Sequence, residues 1–489
     1  MVVSGSDVTS QGNLLQLSSL EIAKLQQLPA LSERPNLLLI VLDTMRLDSA
    51  ADLSDALRDF VSYQNAVSAA PWTLPSHVSL LSGLYPSKHG CHEDVNVKCD
   101  DVSKMRTWSP LVVKVLKQLG YRIYGYSANI LISSAYGFEG FDLLENSKLY
   151  SPWPEILDNL GQMEARSFRK LLATRKPLDG IGFILRVFFT NPTKAVTLLS
   201  LFVRLVVNRA KSNWPREKGA DQALGFIKKT GLREPFFLFM NLLEFHEPYF
   251  KSDDLLNGLT PRSVDSIEPA ILKRWIKGYH SQARYAKGKL ILLLKELGKK
   301  GLLEKTVVIV TSDHGQLLGE HGWIGHGSFL YDELIRVPLM IRYPPGLGVE
   351  LEQPHGVISL TNIPGFLLDL ARGKRTDSHL YGSEAFAQSW GLYESVSAKK
   401  RSIFKKYSSE LAKQRVCVYE SDSKLTYNVT DGLVEEYLNS GVADSMSKDR
   451  LVQMCIRMST SKNVMGGTSQ IAAEDEAGIL QQLRRMGYV

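Results

Sequence analysis

The sequence is poor in cysteine, because its 489 residues include only four and none of them forms a C-x-x-C pair. This excludes a disulfide-stabilised scaffold and a paired-cysteine zinc site. No apolar run reaches the roughly 18 residues that a membrane-spanning helix needs. The first residues lack the basic and continuous apolar stretches of a secretory signal peptide, so we expect a cytoplasmic protein.

The composition is that of a globular protein, but its charge is unevenly distributed. Hydrophobic residues make up 44% and charged residues 22%, and neither repeats nor low-complexity tracts are present. The whole chain has a net charge of +7, whereas residues 166–216 contain eleven Lys or Arg and one acidic residue, which gives about +10 (11 − 1). The remaining residues are therefore slightly acidic.

Two interpretations of this basic segment are open. Its aliphatic residues and widely spaced cations are typical of helices that lie on an anionic membrane, where they would make peripheral contact. They are equally typical of a helical hairpin that packs on the sheet and exposes a basic face to solvent or to an anionic substrate. Binding of nucleic acid is not expected, since the interleaved residues are aliphatic rather than aromatic. The oligomeric state is not indicated.

Four apolar runs alternate with helical patterns along the first two thirds of the chain. Each run ends in polar or ionisable residues, which is typical of buried parallel strands. Strands that alternate with helices predict a mostly parallel α/β sheet flanked by helices. The runs lie at 37–42, 120–129, 234–249 and 305–315, and the helical patterns lie at 109–120, 218–231 and 285–301.

The pattern of the sequence changes after about residue 375, where the predicted segments become shorter and more polar. The residues at 415–429 are typical of antiparallel strands. We predict an N-terminal extension at 1–34, a main domain at 35–375 with a basic helical insertion at about 160–216, and a small C-terminal α+β subdomain at 376–489.

Ionisable side chains follow three of the predicted strands. They are Asp43, His246, Asp313 and His314. In open α/β sheets, ligands bind beyond the carboxyl ends of the strands, so these side chains are expected to meet there. Each of them alone is equally well explained as a loop cap or a packed turn. Together, carboxylates and imidazoles favour a site for one divalent ion such as Mn²⁺, Zn²⁺ or Ca²⁺.

The stretch "SAAPWTLPSHVSLLSG" at 68–83 is typical of a loop followed by a helix. We expect Thr73 near the N-cap and Pro75 in the first turn. Backbone N–H groups at a helix N-terminus favour an anion, so this loop is a candidate for binding a charged substrate. Taken alone, an ordinary helix cap explains the stretch as well.

Several spaced motifs resemble one known family. They are "PNLLLIVLDTMRLD", "PWTLPSHVSLLSGLYPSKHG", "FHEPY" and "SDHGQLLGEHGWIGHGSFLYDELIRVPLMIR", in matching order across about residues 34–345. The chain is similar to the sulfatase family of the alkaline phosphatase superfamily. The resemblance implies an alkaline-phosphatase-like core with a small C-terminal α+β subdomain, and an enzyme that hydrolyses esters with the help of a metal.

The resemblance also implies a nucleophile and a metal site. Asp43, Asp313 and His314 match metal ligands of the family. Thr73 stands at the nucleophile position of the usual Cys-x-Pro-x-Arg motif, where the cysteine becomes formylglycine, and its hydroxyl would be a fourth ligand. Only these ligand-type residues match, so one divalent ion is expected rather than two.

Further catalytic roles follow from the same resemblance. His246 matches a histidine beside the leaving group, and His326 lies about where a Lys or His contacts the anion. His77 replaces the arginine of the motif, so it is a candidate for stabilising the equatorial oxygens together with His326. The family's "GKWHLG" is replaced by "SANILI" around Asn129, so one expected cationic contact is missing.

Thr73 changes the expected chemistry. Hydrated formylglycine has a second hydroxyl that can expel sulfate by C–O cleavage, and threonine has none. A Thr73 adduct must therefore be resolved by attack on sulfur or phosphorus, and in-line displacement is the usual route for phosphoryl groups. The family resemblance favours a sulfuric ester, while the threonine favours a phosphodiester or phosphonate ester.

Three functions are open on this basis. The first is a metal-dependent hydrolase that cleaves a sulfate or phosphate ester of a small molecule, glycan or lipid through Thr73. The second is a phosphoryl-group transferase that uses a lipid-linked donor. The third is a non-catalytic binding protein that keeps the fold, and the retained metal ligands argue against it.

Other polar residues near these motifs are predicted to be structural. Arg46 and Asp48 are expected to form a supporting ion pair. Glu320 and His321 are expected to form a turn beside the site, and His89 and His92 are expected to lie in a surface loop.

Overall fold

The computed structural model describes most of the predicted main domain and much of the C-terminal region. The described ranges are 33–54, 57–92, 110–129, 131–147, 215–250, 261–391, 409–440 and 445–460, together with residue 30 and a few isolated residues between 191 and 213. The predicted N-terminal extension and the basic insertion at about 160–216 lie almost entirely outside these ranges, and so does the membrane contact inferred from the insertion.

A seven-stranded sheet forms the centre of the molecule. Its strand order is β2-β11-β8-β1-β6-β4-β5, the five strands from β8 to β5 run parallel, and β11 is antiparallel to both of its neighbours, β8 and β2. The strands are β1 Asn36–Leu42, β2 Val61–Tyr63, β4 Arg122–Ser127, β5 Leu143–Asn146, β6 Phe236–Leu242, β8 Thr306–Thr311 and β11 Leu339–Arg342.

Helices cover both faces of this sheet, which explains why its central strands are apolar on both sides. One face packs against α2 Thr73–Ser82, α4 Leu111–Gln118 and α8 Ile363–Ala371, and the other packs against α5 Ala220–Lys229 and α6 Pro269–Lys299. Every residue of β1 is buried, as expected for the middle of the sheet. The predicted mostly parallel α/β fold is confirmed. Shorter helices are α1 Ala51–Ser54, α3 Pro86–His89 and α7 Asp332–Ile335.

Helix α6 begins well before the helical pattern that the sequence shows at 285–301. Pro269 occupies its first turn, where the missing N–H costs nothing, and the early turns bury Trp275 and Tyr279. Gly278 allows close packing there, because a Cβ at this position would lie 2.7 Å from the Cβ of Tyr249. The glycine and the flanking charges concealed this part of the helix in the sequence pattern.

A four-stranded antiparallel sheet, in the order β14-β15-β16-β17, lies in the C-terminal region. Its strands are β14 Ala385–Ser389, β15 Arg415–Tyr419, β16 Ser423–Asn428 and β17 Leu433–Asn439. Val416 and Val418 pack against α9 Ser445–Thr460, while Cys417 and Tyr419 face the main domain. The antiparallel pairing predicted at 415–429 is confirmed.

Two three-stranded sheets complete the described fold. They consist of β3 Ala66–Val67, β12 Val357–Ser359 and β13 Tyr381–Gly382, and of β7 Arg262–Ser263, β9 Leu317–Leu318 and β10 Trp323–Gly325. None of the helices in the described ranges combines the length and the apolar character that crossing a bilayer requires.

Candidate active site

The carboxyl ends of β1 and β8 bring Asp43, Asp313 and His314 together. The two strands are adjacent and parallel, so the residues that follow them emerge at the same edge of the sheet. His314 Nε2 lies 3.3 Å from Asp313 Oδ2 and 3.9 Å from Asp43 Oδ1. All three side chains are fully buried.

Thr44 holds the turn after β1 in an unusual backbone conformation. Its φ of 63° is in the left-handed region, which a β-branched residue rarely adopts. In this conformation the Thr44 backbone N–H donates to Asp313 Oδ1 at 3.2 Å, and the Thr44 hydroxyl donates to the Asp43 carbonyl. The strained turn therefore fixes the Asp313 carboxylate against the backbone that follows Asp43.

Thr73 is the first residue of α2, and its hydroxyl faces the same group. The expected position near the helix cap is close to the one observed, since Trp72 is the cap and Pro75 lies in the first turn. Thr73 Oγ1 lies 3.5 Å from Asp43 Oδ2 and 3.4 Å from His314 Nε2. In the first turn, Pro75 has no N–H and the Ser76 N–H donates to the Trp72 carbonyl at 3.4 Å, so Thr73 and Leu74 carry the N–H groups that lack an acceptor within the helix.

Two carboxylate oxygens in this group are buried without a hydrogen-bond partner among the described residues. They are Asp43 Oδ1 and Asp313 Oδ2. Nitrogens of His314 and His77 lie within 3.4 Å of Asp313 Oδ2, but each ring directs its proton to a backbone carbonyl instead. Burial of an unpaired charge is costly, and a bound cation would remove that cost.

The electrostatics of the group fit a divalent cation. Burial and the neighbouring Asp313 raise the pKa of Asp43 to about 6, and burial raises the pKa of Asp313 to about 7. The His314 Nδ1 proton is donated to the Gly315 carbonyl at 2.9 Å, and burial lowers the pKa of this imidazole to about 4. His314 therefore presents an Nε2 lone pair to the carboxylates, as a metal ligand does.

Two asparagines that the sequence analysis did not assign to the site support Asp43. Asn129, at the end of β4, donates to Asp43 Oδ2 at 3.0 Å. Asn241, inside β6, lies 3.4 Å from the same oxygen. The signal that could have identified Asn241 is a lone polar residue within the apolar run "FFLFMNL".

His77 does not have the position predicted for it. Its Nδ1 donates to the Thr73 carbonyl at 2.9 Å, and its Nε2 accepts from Asn241 at 3.2 Å. Burial lowers the pKa of His77 to about 3, so the ring is neutral. With both nitrogens occupied, this side chain fixes the first turn of α2 and is not placed to contact the equatorial oxygens.

His246 lies in the loop after β6, buried beside the same edge of the sheet. Burial opposes its charged form, but the Glu247 carboxylate and Asp43 outweigh burial and raise the pKa of His246 above its ordinary value. Its Nδ1 donates to the Glu247 carbonyl at 2.8 Å, which fixes the orientation of the ring.

His326 is fully buried, and its ring centre lies 4.6 Å from that of His314 and 5.2 Å from that of His246. Its Nδ1 lies 2.6 Å from Gln316 Oε1. Burial lowers the pKa of His326 well below its ordinary value, so the ring is neutral. Since Nδ1 carries the proton, Nε2 has none to donate, and this arrangement does not support the predicted contact with an anionic oxygen.

The surrounding structural residues agree in part with prediction. The Arg46–Asp48 ion pair is confirmed at 2.6 Å, and Arg46 also contacts Glu320 at 2.8 Å in the turn beside the site. His89 is not in a surface loop, because it is fully buried at the end of α3 and bonds to Ser79 Oγ at 3.0 Å. The polar neighbours "KHG" and "HED" concealed this burial.

Comparisons with known proteins point in one direction. The sequence model named Sulfatase matches residues 35–374. An arylsulfatase of Clostridium perfringens is 23% identical over 393 residues, which cover 71% of this chain and 76% of the relative. A low-salt glycan biosynthesis sulfotransferase of Haloferax volcanii is 33% identical over 120 residues, which cover 24% of this chain and 28% of the relative.

A solved structure also shares the fold. A 2-O glycosaminoglycan sulfatase is similar with a TM-score of 0.50 and 14% identity, and the match covers 92% of each chain. This likeness confirms the alkaline-phosphatase-like architecture in which the site residues lie.

Proposed function

This chain belongs to the sulfatase family of ester-cleaving hydrolases, and we propose that Thr73 is the nucleophile that takes the sulfuryl or phosphoryl group from the ester. The observation that carries the proposal is the position of Thr73 Oγ1, 3.5 Å from Asp43 Oδ2 and 3.4 Å from His314 Nε2. A hydroxyl at the first turn of a helix, beside groups that can take its proton, is suited to attack an anionic ester.

Asp43, Asp313, His314 and the Thr73 hydroxyl would hold a divalent cation. The unpartnered Asp43 Oδ1 and Asp313 Oδ2 and the lone pair of His314 support this assignment. When bound, the cation lowers the pKa of the hydroxyl and neutralises charge on the ester. Three oxygen ligands and one imidazole suit Mn²⁺, Zn²⁺ or Ca²⁺.

The first step is an in-line displacement at sulfur or phosphorus. The Thr73 hydroxyl gives its proton to Asp43 Oδ2, and its oxygen forms a bond to that atom while the bond to the alcohol oxygen breaks. His246 donates the proton from its Nε2 to the leaving alkoxide, and its raised pKa keeps that proton available near neutral pH. The first N–H groups of α2 stabilise the charge on the equatorial oxygens.

The second step releases the anion. Water attacks the sulfur or phosphorus atom of the Thr73 adduct, and His246 takes a proton from this water as it attacks. The bond to the Thr73 oxygen breaks, and Asp43 returns the proton to that oxygen. A threonine ester has no second hydroxyl on its carbon, so release by C–O cleavage is not available to this chain.

The proposal is tested by steady-state turnover of matched nitrophenyl esters with Mn²⁺ supplied. A sulfate, a phosphate monoester, a phosphate diester and a phosphonate are compared, because the substrate class follows from which of them reacts. The name of the Clostridium relative makes an aryl sulfate a natural member of the panel.

Thr73→Ala and Thr73→Ser are the variants for this panel. Thr73→Ala is expected to abolish turnover of the preferred ester, and Thr73→Ser is expected to keep part of it, because serine retains the hydroxyl. Equal turnover of any ester by the Thr73→Ala variant and the wild type would contradict the proposal.

A second candidate function is transfer of the group to an alcohol other than water. It is favoured by the local similarity to a protein named as a sulfotransferase, and by an adduct that any alcohol can resolve. It includes a phosphoryl transferase that uses a lipid-linked donor. Added alcohols that capture the group, at the expense of free sulfate or phosphate, would identify a transferase. Constant release of the free anion would identify a hydrolase.

A further inference from the structure

Helix α6 carries a row of basic side chains along its outer side. Between residues 269 and 295 the helix contains seven Lys or Arg and no Asp or Glu. Five basic residues follow one another at intervals of three or four positions, so they lie on one side of the helix. Together they form the α6 basic face, which consists of Lys273, Lys277, His280, Arg284 and Lys287. Lys287 is partly exposed, and the other four are exposed.

The cations of this face have no acidic partner within the described part of the chain. The ion pairs that α6 forms there lie elsewhere on the helix, where Lys289 contacts Glu217 and Asp221, and Lys299 contacts Glu296. Like charges three or four residues apart destabilise a helix, whereas acid–base pairs at the same spacing stabilise it. An anionic partner would relieve this repulsion.

The α6 basic face is long enough to contact an extended partner. The 14 residues from Lys273 to Lys287 span about 21 Å at the rise of an α-helix. A small anion would contact one or two of these cations and leave the others unpaired. A surface or a polymer with many negative charges can contact all of them at once.

Aliphatic side chains beside the α6 basic face favour a lipid surface over a soluble polymer. Ile291 lies four residues after Lys287 and is partly exposed, and Leu292 is 45% exposed. Helices that lie on anionic membranes combine aliphatic side chains with Lys and Arg in this way. A soluble polyanion would leave these aliphatic groups in water.

A second basic segment of the chain shows the same combination. Residues 166–216 contain eleven Lys or Arg and one acidic residue. Two described helical residues in this segment, Val196 and Leu199, are 61% and 51% exposed. Exposed aliphatic side chains in so basic a segment are typical of contact with an anionic membrane.

We propose that the α6 basic face docks this enzyme on an anionic lipid surface. Its Lys and Arg side chains pair there with the negatively charged headgroups. The inner side of the same part of α6 contacts the candidate active site, because the Tyr279 hydroxyl donates to the Thr44 carbonyl at 3.0 Å. The turn after Asp43 is thus separated from the basic face by the thickness of one helix, about 10 Å. Docking would place the active site close to the lipid surface.

The test is flotation of the full-length protein with lipid vesicles at low salt. Vesicles of phosphatidylcholine with phosphatidylglycerol are anionic, and vesicles of phosphatidylcholine alone are neutral. We expect the protein to float with the anionic vesicles and not with the neutral ones. Sodium chloride at about 1 M should release it, because the Debye length then falls to about 3 Å. Equal flotation with both kinds of vesicle would overturn the proposal.

The variant Lys273→Gln/Lys277→Gln assigns binding to the α6 basic face. Its matched control is Lys114→Gln/Lys448→Gln, which removes the same charge from exposed positions in α4 and α9. Each cation at an anionic surface contributes about fivefold to binding, so the first variant should lower the vesicle partition coefficient about 25-fold. The control should lower it less than about threefold, because salt screens cations away from the docked face.

Two further outcomes would overturn the proposal. Equal partitioning of Lys273→Gln/Lys277→Gln and the wild type into anionic vesicles would show that α6 is not the docking surface. Binding to heparin or DNA, without flotation on anionic vesicles, would identify a soluble polyanion as the partner. The proposed function is tested separately, since the variant is expected to turn over a soluble nitrophenyl ester at the rate of the wild type.

Discussion

Charged side chains are buried both in the C-terminal sheet and at the catalytic edge, which is the edge of the central sheet where Asp43 and Asp313 lie. The two regions differ in the partners of these charges. In the C-terminal sheet, Arg415 is 1% exposed and pairs with Glu410 and with Glu435 at 2.7 Å. Lys424 pairs with Asp332 at 2.6 Å and with Glu436 at 2.5 Å, so both buried cations there have protein partners.

At the carboxyl edge of the central sheet, no Lys or Arg among the described residues forms an ion pair with the buried carboxylates of Asp43 and Asp313. Asp43 and Asp313 repel each other, and each keeps an oxygen without a hydrogen bond among the described residues. The difference is expected if the C-terminal charges stabilise the fold and the proposed cation binds at the catalytic edge. Substitutions in the two regions should therefore affect different measurements.

Removal of the cation should have the largest effect. We expect exhaustive chelation to lower turnover at least about a thousandfold, since a bound cation contributes several kcal/mol to stabilising the transition state. Mn²⁺ should restore the rate, and the circular dichroism spectrum should change little. Full turnover by a protein shown to be free of metal would remove the distinction between the two regions.

Replacement of Arg415 should affect stability and not chemistry. We expect Arg415→Met to lower the free energy of unfolding by about 1–3 kcal/mol, because it removes hydrogen bonds to Glu410 and Glu435, while water still solvates these carboxylates, which are 37% and 30% exposed. Urea denaturation measures this loss. Turnover per folded molecule should equal that of the wild type, and a large loss of turnover in the folded fraction would contradict the separation.

Replacement of Asp313 should raise the stability of the metal-free protein, whereas replacement of Arg415 should lower stability. Asp313→Asn removes an unpaired buried charge, so we expect the metal-free variant to be more stable than the metal-free wild type by about 1–3 kcal/mol. Thermal unfolding in the presence of a chelator measures the difference. A less stable variant would show that the N–H groups that donate to Asp313 Oδ1 already offset the cost of burying its charge.

The same carboxylate predicts a pH dependence in the metal-free wild type. Its pKa is raised from 3.8 to about 7, so the folded state binds the proton more tightly than the unfolded state does. Tighter binding of this proton stabilises the folded state. The stabilisation is fully present below pH 3.8 and is lost as pH rises through about 7. The stability of the metal-free Asp313→Asn variant should depend less on pH over this range.

An exposed ion pair should have the smallest effect. Arg450 pairs with Glu420 at 2.6 Å, but its side chain is 53% exposed. Because water screens such a pair, we expect Arg450→Ala to change the free energy of unfolding by less than about 1 kcal/mol. A loss as large as that of Arg415→Met would mean that burial does not distinguish the pairs.

The sequence predicts well those features in which one short segment carries the whole signal. An apolar run with an ionisable residue at its end identifies the strand and the edge at which its side chain emerges, and this is true of Asp43 and Asp313. The helix that begins at Thr73 is similarly visible in its small and apolar spacing. For these residues, fold and position follow from a local pattern.

The sequence does not predict features that depend on contacts between distant segments. The tautomer of His326 is set by Gln316 and Glu247, which come from different loops. The two nitrogens of His77 are occupied by a helix carbonyl and by Asn241 of β6, and the pattern "TLPSH" gives no sign of either contact. Roles that depend on the proton of a ring nitrogen therefore require the structure.

The most direct measurement is the accurate mass of the Thr73-containing peptide from enzyme quenched during turnover of its preferred ester. The account predicts one added sulfuryl or phosphoryl group, located on Thr73, which accurate mass distinguishes by element. The adduct should be absent from the Thr73→Ala variant and should disappear as substrate is exhausted. Rapid turnover with an unmodified Thr73 peptide, or with the group on another residue, would contradict the central claim that Thr73 is the nucleophile.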